Sequence, residues 1–316
     1  MILFVNFGGP RNLDEIRPFL EELLTDRDVI PAKTFDFLHD LFFRYIAKKR
    51  SIKMRQEYAS LGGGSPIFAD TERLAELFGE NTMTFHRYLP ALHAEFCQKM
   101  SVLNEEITVF PLFPQFSYAT TGSVARWFRD HLPQATVEKL RFIRSYSDHP
   151  AFVAVTVQLI REKMGELGLL EEETVLLFSA HGLPQSFVDT GDPYEEECNR
   201  SFNAVIQAFP KALSRLSYQS KFGRAEWLKP YTEQICKEVK QWACGYKNVL
   251  VVPISFTSDH IETLYEIEQL YLPLITAQGL VAYRVCAPNC RQEFVDAIGT
   301  IISDTPRYKI GPLIKM

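Results

Sequence analysis

Four short apolar runs, each followed by a turn-rich segment and then a helical pattern, constrain the fold of this chain more than any other feature. The runs are Ile2–Phe7, Ile107–Phe113, Thr174–Ser179 and Asn248–Phe256. Runs of this length that are rich in β-branched residues and bounded by turn residues are typical of buried strands in a parallel sheet. Strands that alternate with helices predict an α/β fold, in which each parallel sheet is flanked by helices.

The length of the chain favours two such domains. It has 316 residues, of which 46% are hydrophobic and 23% charged, a composition that suits well-buried α/β domains. The stretch Ser145-Tyr-Ser-Asp-His-Pro150 interrupts the alternation before the next helical pattern. We therefore predict a first domain over residues 1–148, a second over 149–285 and a C-terminal segment over 286–316.

Charge and composition exclude several classes of function. The net charge of −5 argues against binding of a phosphate backbone, so no nucleic-acid partner is expected. The first residues already predict a strand without a basic leader, and no apolar run reaches membrane-spanning length. These features predict a cytoplasmic protein. The six cysteines lack metal-site spacing, so reduced thiols are expected.

A histidine at the end of the third run is the first candidate functional residue. In Phe178-Ser-Ala-His-Gly-Leu-Pro184, His181 stands where the run stops. In open α/β sheets, ligands bind beyond the carboxyl ends of the strands. An imidazole there can move a proton near neutral pH or hold a metal. The alternative is a histidine that only hydrogen-bonds its own loop.

Acidic residues follow the fourth run. If the segment after it is an α-helix, Asp259, Glu262 and Glu266 lie at i, i+3 and i+7 and share one face, with His260 about 100° away. Asp259 and Glu262 also have capping-box spacing, which would not account for Glu266. Imidazole and carboxylates together suit a first-row divalent metal and proton removal. Without HExxH or paired CxxC spacing, a transient metal is favoured over a structural one.

Motifs along most of the chain resemble the ferrochelatases, which insert ferrous iron into a porphyrin in the last step of protohaem synthesis. Any one of these motifs is weak, but together and in order they are highly specific. They are Val5-Asn-Phe-Gly-Gly-Pro10, Ile46-Ala-Lys-Lys-Arg50, Gly62-Gly-Gly-Ser-Pro-Ile67, Thr120-Thr-Gly-Ser123, Phe178-Ser-Ala-His-Gly-Leu-Pro184, Gly191-Asp-Pro-Tyr194, Tyr218-Gln-Ser-Lys-Phe-Gly223, Trp227-Leu-Lys-Pro230 and Phe256-Thr-Ser-Asp-His-Ile-Glu-Thr-Leu-Tyr-Glu266.

The resemblance implies roles for particular residues. His181 and Glu262 match the two metal-binding positions, with Asp259, His260 and Glu266 beside them in the catalytic group. It also implies two Rossmann-like, chelatase-type domains, with the porphyrin in the cleft between them and the C-terminal segment packed on the first domain. The expected porphyrin contacts are Phe7, Gly8, Gly9, Arg50, Gly63, Ser65, Arg87 and Thr121. Glycines let a backbone approach a flat ligand closely, although the Gly62–Gly64 run also suits an ordinary loop.

The expected reaction is insertion of ferrous iron into protoporphyrin IX to form protohaem (haem b), with release of two protons. Ferrous iron is then a substrate, and no [2Fe–2S] cluster is expected, because the chain lacks a cysteine-bearing C-terminal extension. The alternatives are a related chelatase for another ring or metal, such as coproporphyrin or cobalt, and a non-catalytic haem- or iron-binding module. The oligomeric state is not predicted.

A helical stripe of bulky apolar residues leaves three interpretations open. It runs from Phe35 through Leu38, Phe42 and Ile46 to the basic Lys48-Lys49-Arg50. Such a stripe can face the core, form a lip over an apolar ring, or rest on a membrane surface as a peripheral contact. A porphyrin is an apolar disc with anionic propionates, so basic residues at the rim of an apolar mouth would suit it.

Overall fold

The computed structural model describes residues 1–31 and 35–315, in which strands and helices alternate. The strands are β1 (Ile2–Asn6), β2 (Thr82–His86), β3 (Ile107–Pro111), β4 (Leu140–Ile143), β5 (Thr174–His181), β6 (Leu213–Gln219), β7 (Asn248–Val252), β8 (Val281–Arg284) and β9 (Arg307–Tyr308). The α-helices are α1 (Ile16–Thr25), α2 (Asp36–Ser60), α3 (Ile67–Phe78), α4 (His93–Ser101), α5 (Ser123–His131), α6 (Gln134–Val137), α7 (Pro150–Leu167), α8 (Gln185–Asp189), α9 (Tyr194–Ile206), α10 (Thr232–Lys237), α11 (Val239–Trp242), α12 (Leu272–Thr276) and α13 (Gln292–Asp304). Two segments are π-helices, π1 (Tyr118–Gly122) and π2 (Ile261–Tyr271).

The first compact unit comprises residues 1–145 and the C-terminal residues from Ile302 onward. Its sheet has the strand order β2-β1-β3-β4-β9. The first four strands are parallel, whereas β9 pairs with β4 in the antiparallel direction. Aromatic side chains fill the core beside this sheet, where the Phe85 ring lies 4.6 Å from Phe96 and 4.8 Å from Trp127 between centroids. Rings of this size bury much apolar area and hold the covering helices on the sheet.

The second compact unit comprises residues 146–301. Its four-stranded sheet has the order β6-β5-β7-β8 and is parallel throughout. The β5 strand is buried from Thr174 to Ala180, as its continuous apolar run predicts for a strand covered on both faces. Val175 and Val249 on adjacent strands pack with Ile267 of π2 in one hydrophobic cluster. The inner strands β5 and β7 therefore end at a shared edge of a rigid sheet.

The predicted fold class is confirmed, because both sheets are dominated by parallel strands and flanked by helices. The predicted Asn248–Phe256 run is shortened to end at Val252, since Pro253 has no N–H with which to continue a ladder. The division between the two units falls at 145/146. Residues 286–301, which were predicted as part of the C-terminal segment, belong to the second unit.

The apolar stripe predicted between Phe35 and Arg50 lies on α2, apart from Phe35, which immediately precedes the helix. The core-facing interpretation of this stripe is wrong for Phe35, Leu38 and Phe42, whose side chains are exposed. Among the described helices, none is long and apolar enough to cross a membrane.

Candidate active site

His181 ends an inner strand of the second unit, so its imidazole lies at the carboxyl edge of that sheet. Its backbone N–H donates to Ser255 Oγ at 2.8 Å. Its Nδ1 lies 2.6 Å from the carbonyl oxygen of Gly182. Because a carbonyl oxygen only accepts, Nδ1 carries a proton and donates it. The other ring nitrogen, Nε2, is therefore the one available for chemistry.

Glu262 lies between two imidazoles. Its Oε1 is 3.5 Å from His181 Nε2, and its Oε2 is 3.5 Å from His260 Nε2. The side chains of His181 and Glu262 are 33% and 29% exposed, so the pair is sheltered but open to a ligand. The structure thus brings together three of the five predicted catalytic residues, His181, Glu262 and His260.

His181 and Glu262 shift each other's pKa in opposite directions. Burial lowers the pKa of His181, but the charge and hydrogen bond of Glu262, together with Glu266, outweigh burial and raise that pKa to about 9. Burial raises the pKa of Glu262, whereas the charges and hydrogen bonds of His181 and His260 lower it overall, well below its ordinary range. At neutral pH the two side chains form an imidazolium–carboxylate pair that stores one proton.

The helix that carries Glu262 is a π-helix, and this corrects the prediction of an α-helical face. Leu272, just after π2, donates its N–H to the carbonyl of Ile267, five residues back. Asp259 precedes the helix, so it cannot share a face with Glu262 and Glu266 at the predicted i, i+3 and i+7 spacing. The N-terminal cap also differs from the prediction. The backbone N–H of His260 donates to Thr263 Oγ1 at 3.0 Å, in place of an Asp259–Glu262 box.

Asp259 is held by hydrogen bonds from β8, from π2 and from the loop after β8. Its carboxylate accepts hydrogen bonds from Arg284 at 2.6 Å, Thr263 at 2.8 Å and Asn289 at 2.9 Å. The residue is 8% exposed. A carboxylate whose oxygens accept this many hydrogen bonds is fixed in position, so Asp259 anchors the loop that leads into π2.

Glu266 is saturated with donors. Its carboxylate accepts from the Ser220 N–H at 2.8 Å, the Ser220 hydroxyl at 2.6 Å, Gln219 Nε2 at 3.3 Å and the Tyr271 hydroxyl. Gln219 Nε2 also donates to the backbone carbonyl of Glu262 at 2.8 Å. Glu266 therefore contributes its negative charge to the site while its oxygens fix the end of β6 against π2.

Four supporting residues were missed by reasoning from sequence: Gln219, Ser220, Tyr271 and Arg284. Gln219 and Ser220 lie within the recognised Tyr218–Gly223 motif, so the signal was present but its partner in π2 was not evident. Arg284 ends β8, a four-residue strand that is too short to be predicted with the four apolar runs.

In the first unit, Phe7 follows β1 and is half-buried. Its ring centroid lies 4.7 Å from Tyr88 and 5.5 Å from Phe113. The adjacent glycines are needed by the unit's own packing. A Cβ at Gly8 would lie 2.9 Å from His86 Cβ, and one at Gly9 would lie 2.7 Å from Ser65. Their small size thus accounts for chain packing without a ligand.

Two hydroxyls of the first unit are buried and lack a hydrogen-bond partner among the described residues. They belong to Ser65 and to Thr121 of π1. Unpartnered buried polar groups are unusual and call for an explanation such as a ligand. Gly63 has a φ of +95° with open space around it, which favours glycine for conformational reasons. Arg50 is half-buried on α2.

Arg87, a predicted porphyrin contact, is held by ion pairs in the interior of the first unit. It is 7% exposed. Its guanidinium donates to Glu22 and Asp26, each at 2.8 Å, and to Ser123 at 3.0 Å. Burial lowers the pKa of Arg87, but interactions with Tyr88, Asp26 and Glu22 outweigh burial and raise that pKa overall. Arg87 therefore links α1 and Asp26 to α5, and its predicted contact with porphyrin stays a prediction.

Solved structures share this fold. The structure of CbiX, described as the terminal enzyme for biosynthesis of siroheme in denitrifying bacteria, matches with a TM-score of 0.53 and 14% identity over 96% of this chain and 97% of that chain. SirB from Bacillus subtilis with Fe3+ matches with a TM-score of 0.51 and 13% identity over 96% and 94%. At these identities the likeness concerns the fold alone, a chelatase-type α/β architecture.

Sequence comparison identifies the family. Residues 1–305 match the ferrochelatase family profile. The ferrochelatase of Chlamydia caviae is 41% identical over 318 residues, and that of Chlamydia trachomatis serovar A is 40% identical over 317. Each alignment covers 99% of this chain and 98% of the relative. The chain belongs to the ferrochelatase family. It is an enzyme of haem biosynthesis, a lyase that inserts a metal into a porphyrin, with iron as the substrate metal. The predicted family and enzyme class are confirmed.

Proposed function

We propose that this enzyme inserts ferrous iron into protoporphyrin IX to form protohaem (haem b), with release of two protons. The observation that carries the proposal is the His181–Glu262 pair, with 3.5 Å between Nε2 and Oε1 at the carboxyl edge of the second sheet. An imidazole and a carboxylate at this spacing suit both a first-row divalent metal and the removal of a pyrrole proton.

The charge state of the pair supports an exchange of metal for proton. The raised pKa of His181 means that the resting pair holds a proton at neutral pH. Ferrous iron can bind Nε2 only after that proton leaves, because a metal needs the neutral imidazole. The first proton of the reaction is therefore released when iron binds to His181 and Glu262.

Transfer of iron into the ring restores the resting state. A free porphyrin carries two inner N–H protons, and both must leave for the metal to enter. As iron moves from the pair to the ring nitrogens, His181 takes one pyrrole proton and re-forms the imidazolium beside Glu262. The second pyrrole proton leaves through His260, whose Nε2 is 3.5 Å from the other oxygen of Glu262. Protons and charge then balance, with two protons released per iron inserted.

The first unit supplies aromatic, hydroxyl and basic groups for contact with the porphyrin in this proposal. Phe7 offers an aromatic face, and the unpartnered hydroxyls of Ser65 and Thr121 offer polar contacts. Arg50, on the basic part of α2, is the candidate for a propionate. Gly8, Gly9 and Gly63 shape the backbone of the same loops. Binding that favours a distorted macrocycle over a flat one accelerates insertion.

The exposed side of α2 supports peripheral contact with a membrane. Phe37, Leu41 and Phe42 are 75%, 59% and 56% exposed and lie on adjoining rows of the helix. Lys48 and Lys49 follow two turns further on and are exposed. An apolar face with flanking basic residues binds the boundary region of anionic bilayers. Replacement of Phe37, Leu41 and Phe42 by Ser should abolish co-sedimentation with phosphatidylglycerol vesicles and leave insertion in detergent intact.

The proposal includes no [2Fe–2S] cluster. Such a cluster usually needs four organised thiolates. Cys198 and Cys236 lie in the core, where burial raises the pKa of each thiol and disfavours the thiolate that would bind iron. Protein purified anaerobically should lack acid-labile sulfide and cluster absorbance, and stoichiometric sulfide would contradict the proposal.

The decisive experiment offers purified protein protoporphyrin or coproporphyrin together with ferrous, cobaltous or zinc ions under anaerobic conditions. Protohaem formation over many turnovers, with the highest kcat/KM for protoporphyrin and ferrous iron, is the expected result. A preference for coproporphyrin would contradict protoporphyrin as the substrate. Metalloporphyrin formation that stops at one equivalent would indicate a binding module and not an enzyme.

A further inference from the structure

Arg284 connects both ends of π2. It is the last residue of β8, and its side chain is 9% exposed. Nη1 donates to Asp259 Oδ1 at 2.6 Å, and Nε and Nη2 each lie 2.8 Å from Glu268 Oε1. Asp259 lies just before the start of π2, and Glu268 lies in its second half. A single cation thus binds one carboxylate at each end of the helix that carries Glu262.

This connection matters because a π-helix is intrinsically rare and needs support from its surroundings. Asp259 is the central acceptor of that support. Besides Arg284, it accepts from Asn289 Nδ2 at 2.9 Å, and its own N–H donates to Asn289 Oδ1 at 2.7 Å. The Asn289 N–H donates in turn to the carbonyl of Thr257 at 2.8 Å. The loop after β8 therefore holds the residues that lead into His260 and Glu262.

Loss of the Arg284 charge would leave the Asp259 carboxylate buried without its cation. An uncompensated buried carboxylate is strongly unfavourable, so the chain around Asp259 would rearrange to hydrate it. The neighbouring residues in that chain are His260 and Glu262. A displacement of about 1 Å at a reacting group can lower a rate about 10²-fold.

We propose that Arg284 is a positioning residue for metal insertion: through Asp259 and Glu268 it fixes π2 so that Glu262 and His260 stay at His181. The inference rests on the proposed function and adds to it a residue that touches neither metal nor porphyrin. It acts on the metal side of the reaction, so it should affect kcat and leave porphyrin binding unchanged.

The test compares Arg284→Met and Arg284→Lys with the matched control Arg291→Met. Arg291 follows in the same loop, but among the described residues its ion pairs are with Glu162 and Glu293, which lie outside π2. For Arg284→Met we expect the kcat for iron insertion, normalised to the concentration of porphyrin-binding sites, to fall about 10- to 100-fold. The KM for porphyrin should stay within about threefold of the wild-type value. Arg284→Lys should recover part of the loss. Arg291→Met should keep wild-type turnover.

A double-mutant cycle tests the route of the effect. If Arg284 acts through Asp259, combining Arg284→Met with Asp259→Asn should reduce kcat no further than the larger single change. Multiplied losses, or wild-type kcat in Arg284→Met, would overturn the inference. If Arg284→Met does not fold, Glu268→Gln removes half of the connection and should lower kcat about 3- to 10-fold with unchanged porphyrin KM. Wild-type kcat in both Glu268→Gln and Arg284→Lys would also overturn it. Failure of the proposed function itself is distinct, since the wild-type protein would then form no metalloporphyrin.

Discussion

The two units of this ferrochelatase have the same strand order and different chemistry. In the first unit the parallel strands are ordered β2-β1-β3-β4, and in the second β6-β5-β7-β8, so β1 corresponds to β5 and β3 to β7. A π-helix follows the corresponding strand in each unit, π1 after β3 and π2 after β7. Yet β5 ends in His181, whereas β1 ends in Asn6, which is followed by Phe7 and two glycines.

The difference lies in what happens to charge at the strand ends. In the second unit, His181 and Glu262 remain partly exposed and form an ion pair, beside which the pKa of His181 is raised. In the first unit, Arg87 is neutralised by Glu22 and Asp26 in the interior. The same strand topology therefore carries different side chains at its strand ends in the two units. We propose that the second unit carries the proton and metal chemistry, and we expect the first to recognise the ring through apolar and hydroxyl groups.

The largest expected effect comes from His181→Ala. Because Nε2 is the group proposed to accept the pyrrole proton, insertion should fall about 10³-fold or more. Porphyrin binding, measured by fluorescence quenching, should be retained. The matched control is His131→Ala, an exposed histidine that stacks on Trp127 in the first unit, which should keep wild-type turnover. Turnover near the wild-type value in His181→Ala would contradict the assignment of the catalytic residues to the second unit.

The next effect is expected for Glu262→Gln. The change removes the charge that pairs with His181, so iron insertion should fall about 10²-fold. Glu266→Gln is the comparison variant, because Glu266 contributes charge and its oxygens are occupied by Ser220, Gln219 and Tyr271. We expect Glu266→Gln to lower kcat only a few-fold but to lower the Tm more than Glu262→Gln does. The new amide NH₂ group would face hydrogen-bond donors that now point at a carboxylate oxygen. Equal kcat losses in the two variants would contradict this division of roles.

A smaller effect is expected in the first unit for Thr121→Val. The Thr121 hydroxyl is buried without a partner among the described residues, so its removal should leave the Tm unchanged or raised. If that hydroxyl contacts porphyrin, the KM for porphyrin should rise about 3- to 10-fold. The control is Thr120→Val, whose hydroxyl donates to the Ser117 carbonyl. That variant should lower the Tm and leave KM unchanged, and the reverse pattern would argue against a recognising role for π1.

The smallest effect concerns stability and pH. His181 has its pKa raised from 6.5 to about 9, so its contribution to stability is complete below about pH 6.5 and lost as pH rises through 9. Glu262 has its pKa lowered from 4.5, so its contribution is present above about pH 4.5 and lost as pH falls further. The difference in Tm between wild type and Glu262→Gln should be widest between these limits and narrower at pH 9. A difference that is constant from pH 5 to pH 9 would mean that the pair does not stabilise the fold.

His181 and the neighbouring acidic residues could be predicted because they depend on local rules. A continuous apolar run predicts a buried parallel strand, and ligands of such sheets lie beyond the strand ends. The same rule pointed to the segment after β7. Their meeting follows from the parallel pairing of β5 with β7, which places both ends at one edge.

The parts that sequence could not predict depend on distant partners. Arg87 suggested a rim cation, but Glu22 and Asp26, 65 and 61 residues away in the chain, bring it into the interior. Asp259 suggested catalysis, but Arg284 and Asn289 bind its carboxylate. The π-helical form of π2 also depends on these tertiary contacts, since the charge pattern alone fits an α-helix equally well.

The strand β9 bears on the order in which the molecule is built. It comes from Arg307 and Tyr308, downstream of the whole second unit, yet it pairs with β4 of the first sheet. During synthesis, β4 therefore remains an open edge while residues 146–301 emerge from the ribosome. An open edge strand is a template for pairing with other chains. The first unit is therefore completed only after the second has been made, and its aggregation during translation should depend on how soon Arg307 and Tyr308 follow.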